Sequence, residues 1–186
     1  TNFADTYQAI NGFSGLNIFE GGAGNDFITG NGETRIEYTN ATAAVTVDIL
    51  SGQAMATTGN ASVGTDTFSG VNGITGSAFN DTLRGSNNAT GTLEYFRGGA
   101  GDDVIDGRGG VDRADYLLAA GGVTVNLGLT TAQCIGGGQG SDTLINMEQA
   151  RGSLFADTLI GNSGANKLIG EAGDDVLRGG DGSDLL

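Results

Sequence analysis

The sequence predicts an all-β solenoid of parallel coils, and three observations carry that prediction. A glycine-rich turn of the form GGxGxD, followed by a short strand with a central apolar residue, recurs as GGAGNDFIT at 21–29, GGAGDDVID at 98–106 and GGQGSDTLI at 137–145. Toward the C-terminal end Gly152, Gly161, Gly170 and Gly179 follow one another at a constant nonapeptide step with nothing inserted, the fixed short period of a solenoid. Above it lies a longer period, because Phe3, Phe79 and Phe155 are evenly spaced along the chain and Asp5, Asp81 and Asp157 keep the same step.

Taken in chain order, residues 1–36 form a first block of compact turns, 37–75 a segment of longer coils and 76–115 a second block. Residues 116–151 form a second longer-coil segment, which carries the turn at 137–145, and 152–186 a third block, all within one solenoid. The longer segments match one another: EYTNATAAVTVDI at 37–49 is repeated as DYLLAAGGVTVNL at 115–127, and GTDTFSGVNGITGSAFNDTL as GSDTLINMEQARGSLFADTL. Within a nonapeptide, places seven to nine make the strand. Place eight is apolar, as in Ile28, Ile105, Leu144, Leu159, Leu168, Leu177 and Leu186, so it faces the core while places seven and nine face solvent. Thirty-six glycines and no proline suit tight turns that never interrupt a ladder. A disordered glycine-rich linker is the competing reading of that composition, and the periodic apolar places argue against it.

The turn has a chemistry of its own. Glycines at places one, two and four let the backbone bend sharply and aim carbonyl oxygens inward. An aspartate at place six adds negative charge, and a site made only of oxygens suits a hard cation, so Ca²⁺ is the expected ligand. Along the chain place six is filled by Asp5, Asp26, Asp81, Asp103, Asp112, Asp157, Asn166, Asp175 and Asp184, with Glu94 in a less regular turn.

These motifs resemble the RTX, or haemolysin-type, calcium-binding nonapeptide repeat GGxGxDxUx. The match to the consensus is full at 21, 98, 137 and 179 and near at 12, 76, 107, 152, 161 and 170. The resemblance implies a right-handed parallel β-roll in which each nonapeptide is half a coil, so that every second turn stacks on the same edge and several Ca²⁺ ions are held between the stacked turns. It then implies ligand pairs Asp157 with Asp175, Asn166 with Asp184, Asp81 with Asp103, Glu94 with Asp112, and Asp5 with Asp26. Main-chain oxygens of Gly21, Ala23, Gly98, Ala100, Gly107, Gly152, Gly170, Ala172 and Gly179 would complete the shells. Asn17 faces GNGETR at 30–35, where no aspartate stands at the expected place. Asp66 and Asp142, each somewhat less than two nonapeptides before Asp81 and Asp157, would share ions with those two across the shortened half-coils GVNGIT and NMEQAR.

Composition bounds the function. A formal charge of −14, from 22 acidic against 8 basic residues, opposes nucleic-acid binding, which rests on neutralising phosphates. Histidine is absent, which removes Ser-His-Asp and Cys-His catalysis and histidine zinc sites. GNSGANKLI lacks the spacing of a phosphate loop, and no apolar run is long enough to predict a membrane span. Cys134 stands alone, so no disulfide within the chain is expected. Asp102 and Asp174 read as solvated turn residues, Tyr38 and Tyr116 as packing groups, and Arg35 and Arg113 as neutralisers of nearby carboxylates. The resemblance implies a non-enzymatic, extracellular module of a larger protein exported by type I secretion, which folds when it meets calcium. Two alternatives stay open: a carbohydrate-binding or cell-surface attachment module of the kind found in adhesins, surface-layer proteins and alginate epimerases, and a polysaccharide-active β-helix enzyme.

Overall fold

A computed structural model describes residues 3–10, 15–57, 61–88 and 91–186. The start of the near-consensus turn opening at Gly12, the middle of the polar stretch 54–64 and part of the insertion at 85–97 fall outside the described residues. Every element is a strand: β1 (Thr6–Gln8), β2 (Asn17–Phe19), β3 (Phe27–Thr29), β4 (Thr34–Glu37), β5 (Val45–Asp48), β6 (Gln53–Ala56), β7 (Thr65–Ser69), β8 (Gly73–Thr75), β9 (Thr82–Arg84) and β10 (Leu93–Arg97). Then come β11 (Val104–Asp106), β12 (Val111–Asp115), β13 (Thr124–Asn126), β14 (Gln133–Cys134), β15 (Ser141–Ile145), β16 (Gln149–Arg151), β17 (Thr158–Ile160), β18 (Lys167–Ile169) and β19 (Val176–Arg178).

Such short strands are what a nonapeptide unit allows once places one to six are given to the turn. Successive strands mostly alternate between two walls. One wall is the seven-stranded sheet β18-β16-β12-β10-β8-β4-β2, parallel throughout. The other is a nine-stranded sheet, β1-β3-β7-β6-β5-β9-β11-β15-β14, and a three-stranded sheet, β13-β17-β19. The bridge Val123↔Gly136 lies between the last two. Inward residues of both walls make one core, including Ile28, Ile36, Ile74, Leu83, Phe96, Ile105, Leu144, Leu159 and Leu168. Place eight is therefore the core place along most of the described coils, while toward the two ends Tyr7, Phe19 and Leu177 are only partly buried and Leu186 is 60% exposed.

The longer segments depart from a purely parallel solenoid. β5 and β6 form an antiparallel hairpin, β6 then pairs antiparallel with β7, and β14 pairs antiparallel with β15. Local chemistry builds the first hairpin: the Asp48 carboxylate accepts the Ser51 N–H at 3.0 Å, and Gly52 takes φ 65°. GGQGSD at 137–142 also departs from the stacked calcium turn that its sequence predicts. Despite its full consensus it is the reversal between two antiparallel strands, with the Gln139 N–H on the Gly136 carbonyl and the Ile135 N–H on the Gly140 carbonyl.

Candidate metal centre

Two columns of acidic and amide side chains run along the edges of the roll, one residue per coil. In most of the stacked pairs the link between neighbours is the same: a place-six residue donates its backbone N–H to one side-chain oxygen of the place-six residue on the next coil. Asp5 N–H reaches Asp26 Oδ1 at 2.8 Å, Asp26 reaches Asp66 at 3.0 Å, Asp81 reaches Asp103 at 2.8 Å and Asp103 reaches Asp142 at 3.1 Å. In the last block Asp157 N–H reaches Asp175 at 2.9 Å, and on the opposite edge Asn166 reaches Asp184 at 2.9 Å.

The pairs Asp5–Asp26, Asp81–Asp103, Asp157–Asp175, Asn166–Asp184 and Glu94–Asp112 are thus neighbours, the last through the strand register Glu94↔Asp112. Asp66 and Asp142 are not neighbours of Asp81 and Asp157. They close the ladders Asp5–Asp26–Asp66 and Asp81–Asp103–Asp142, having been carried back onto the earlier coil by the antiparallel excursions. The spacing to the next acid suggests a shortened coil, whereas the chain makes a long detour through the longer segment and returns to the same edge.

The opposite edge holds two members that the motif does not reveal. Thr34 N–H donates to Asn72 Oδ1 at 3.0 Å, and Asp112 N–H to Glu148 Oε2 at 2.9 Å. Neither Asn72 nor Glu148 follows a glycine turn, but they are separated by the same step as Phe79 and Phe155, so the long period marks them as equivalent. Asn17 faces Thr34, as the lack of an aspartate there required.

Glycines of the turn do different jobs. At place one, a Cβ on Gly21, Gly98, Gly152, Gly170 or Gly179 would run into the carboxylate of Asp26, Asp103, Asp157, Asp175 or Asp184. The missing side chain makes room for the acid to fold back. A Cβ on Gly107 would likewise meet Asp112. At places two and four the backbone is left-handed, as at Gly99 (φ 106°) and Gly101 (φ 129°), which favours glycine. Ala23, Ala100 and Ala172 occupy place three of such turns.

Three kinds of acid stand out within the columns. Where place two is serine, the acid is saturated. Ser77 donates its N–H and, at 2.8 Å, its hydroxyl to Asp81, while Val45 N–H adds a third bond at 2.7 Å. Ser153 and Val123 do the same for Asp157, and Ser86 gives Glu94 both its N–H and its hydroxyl. At the far end of two ladders, tyrosines supply the cap: the Tyr38 hydroxyl donates to Asp66 Oδ2 at 3.1 Å and the Tyr116 hydroxyl to Asp142 Oδ2 at 2.8 Å, both in the core.

The third kind is left with bare oxygen. Asp26 Oδ2, Asp103 Oδ2 and both oxygens of Asp112 are buried without a hydrogen-bond partner among the described residues. Buried polar atoms in folded proteins are nearly always satisfied, so such exceptions call for an explanation. Burial pushes the Asp103 carboxyl up to about 8, with the charges of Asp142, Asp81 and Asp102 adding to it against the Asp81 N–H. Asp112 rises to about 8, through burial and then the charges of Glu94, Glu148 and Asp106. Burial carries Asp66 and Asp142 to about 6, where hydrogen bonds from the backbone and a tyrosine hold them lower. Like-charged, dehydrated carboxylates stacked coil on coil are stable only if protonated or matched by a cation.

The donor set fits a hard cation. It is all oxygen, and among the described residues no group of three or more acidic or cysteine side chains converges on one point. Backbone carbonyls of the turns must therefore supply much of any coordination shell, as oxygen-rich, high-coordination Ca²⁺ shells accept. Asp102 and Asp174 lie outside the columns; Asp174 is exposed, and Asp102 Oδ1 accepts the Ser141 N–H at 2.8 Å. Arg35 pairs with Glu37 on the outer wall, as a neutraliser should. Arg113 makes no direct ion pair among the described residues, although the charges of Asp115 and Glu171 act on its guanidinium.

The sequence profile of the RTX calcium-binding nonapeptide repeat matches the chain in four copies, at residues 11–33, 66–89, 90–118 and 151–186. The turn at 137–145, a hairpin in the structure, lies outside them. No curated protein matches the chain. With four copies of the repeat spread over more than half of its length and a mostly parallel roll of strands around them, the chain belongs to the RTX calcium-binding nonapeptide-repeat family, whose repeats bind several Ca²⁺ ions.

Proposed function

We propose that the chain is a non-catalytic, calcium-dependent folding module of a secreted protein, and that the bare carboxylates are its calcium contacts. The buried, unpartnered oxygens of Asp26, Asp103 and Asp112 are the observation that supports this reading best. Asp175 and Asp184, whose place-one glycines also leave room for the acid, would hold ions in the more open last block, with Asn166 a weaker partner for lack of charge. Gly21, Ala23, Gly98, Ala100, Gly107, Gly170, Ala172 and Gly179 would contribute main-chain oxygens. Asp81, Glu94 and Asp157 already accept hydrogen bonds on both oxygens, and Asp66 and Asp142 do so with the help of a tyrosine, so these serve first to orient the columns.

Calcium would supply positive charge to acids that otherwise repel one another. Binding free energy then becomes folding free energy, because the unfolded chain presents no such columns. Extracellular calcium modules work at about 10⁻⁴ to 10⁻³ M, above cytosolic supply, so folding would wait for export. No helix among the described residues is long and apolar enough to cross a membrane. Small-angle scattering with and without calcium tests the reading. A sharp loss of radius on adding millimolar Ca²⁺, absent with equal Mg²⁺, is expected, and an unchanged radius would overturn it.

A further inference from the structure

Eight buried polar side-chain atoms lack a partner among the described residues, and they divide evenly. Four are the carboxylate oxygens of the calcium columns. The other four, Arg35 Nε, Thr75 Oγ1, Tyr95 Oη and Arg97 Nε, lie together on the outer face of the seven-stranded wall. All four can donate a hydrogen bond, so what this face lacks is an acceptor.

Strand register sets the face out in two rows. One runs Arg35, Gly73, Tyr95, Arg113, Gln149 across β4, β8, β10, β12 and β16. The other carries Glu37, Thr75 and Arg97, then Asp115 and Arg151. Half of the chain's basic residues, Arg35, Arg97, Arg113 and Arg151, thus gather on one patch of a molecule with net charge −14. A groove of about 300 Å³ runs over Arg97, Arg113, Asp115 and Arg151, and a second of about 390 Å³ adjoins it, sharing Leu16 and Tyr95.

Charge balance within the patch is incomplete. Arg97 pairs with Asp115 at 3.1 Å, and Arg151 with Glu171 at 2.6 Å. Among the described residues Arg113 has Gln149, at 3.3 Å, and no carboxylate; burial pulls its guanidinium down from the ordinary arginine value. Arg97 is 9% exposed and keeps its Nε without a partner. The Tyr95 ring lies across the Cα of Gly73, where a Cβ would strike ring carbons, so one ring face covers the glycine. Burial holds its phenol up to about 12, a donor at any ordinary pH.

We propose that this face binds an acidic sugar, with a carboxylate or sulfate held in the fork of Arg113, beside Arg97 and Arg151, and the sugar ring against Tyr95. Planar guanidinium forks match oxyanions in two-point hydrogen bonds. The two adjoining grooves give room beyond the anion itself, and an aromatic side chain with apolar rims of Leu16 and Leu93 suits a ring. The site is built on the opposite face of the strands from the core and uses none of the calcium-column acids, so it stands apart from the folding role proposed above.

The test is calorimetric titration of the whole chain, in saturating calcium, with D-glucuronate, with D-glucose 6-sulfate and with D-glucose. Binding of either anion, weakened by salt and at least tenfold tighter than glucose, is expected; which anion binds identifies the oxyanion. Arg113→Gln should lower that affinity tenfold or more and Arg113→Lys by less, with the calcium midpoint of folding unchanged in both. No binding of either anion at millimolar concentration, equal binding of glucose, or full affinity in Arg113→Gln would overturn the assignment. The wild-type comparison of anion with glucose decides the matter even if a variant fails to fold, and calcium-driven compaction, measured separately, reports on the folding role alone.

Discussion

Asp81 and Asp103 occupy the same place of the same motif on adjacent coils of one ladder, yet they meet different fates. Asp81 follows a serine turn, GSAFND, and three donors saturate its carboxylate. Asp103 follows a glycine turn, GGAGDD, and one of its oxygens is buried bare. Asp157 with Ser153 and Asp26 with Gly22 repeat the contrast in the last and first blocks of compact turns. In these four turns serine at place two goes with an acid whose two oxygens are both satisfied, and glycine there with an acid that keeps one oxygen bare.

The largest effect should come from Asp103→Asn, which keeps the acceptor for the Asp81 N–H and deletes the charge. Calcium titration should show the folding midpoint raised about tenfold or more, while in chelator the variant is no less folded than wild type, because a like-charge clash is gone. Asp81→Asn should behave differently, losing stability with and without calcium alike, as removal of a saturated structural acid does. Parallel behaviour of the two variants would break the distinction.

Acidity offers a second test. Asp103 and Asp112 titrate at about 8 in the folded chain without metal, against ordinary values near 3.8. The folded state then holds more protons than the unfolded one between those limits, so in chelator folding gains as pH falls from about 8 to about 4 and is least favoured above 8. With calcium present the sign reverses, since protons compete for the ligands and the calcium midpoint should rise on acidification through the same window. Far-UV circular dichroism against pH, with and without calcium, reads both arms.

Smaller changes sharpen the picture. Tyr116→Phe strips the cap from Asp142 inside the core and should cost about 1–3 kcal/mol in calcium-saturated urea unfolding. Ser153→Gly turns a serine turn into a glycine turn, so it should cost about 1 kcal/mol and make folding more dependent on calcium. Asp174→Ala, exposed and outside the columns, should stay within about 0.5 kcal/mol.

Much of this was legible in the sequence, because place six and place eight are fixed by a nonapeptide half-coil that leaves the chain no choice of face. Ile105 in the core and Asp103 on the edge follow directly. What escapes are features that depend on returning rather than advancing. The antiparallel hairpin at 45–56 looks like ordinary alternating strand, and nothing local in GGQGSD tells a hairpin reversal from a calcium turn. Spacing alone consequently matches Asp66 and Asp142 to the coil ahead instead of the coil behind. The role of serine at place two is present in GSAFND and GSLFAD but needs the hydrogen bonds of Asp81 and Asp157 to give it meaning.

On this reading, bare acids make calcium a condition of folding. Far-UV circular dichroism of the wild-type chain at mildly alkaline pH, titrated with calcium from excess chelator, tests it most directly. A cooperative passage from coil to β signal, reversed by chelator, is the predicted result; the same β signal in excess chelator as in calcium would contradict it.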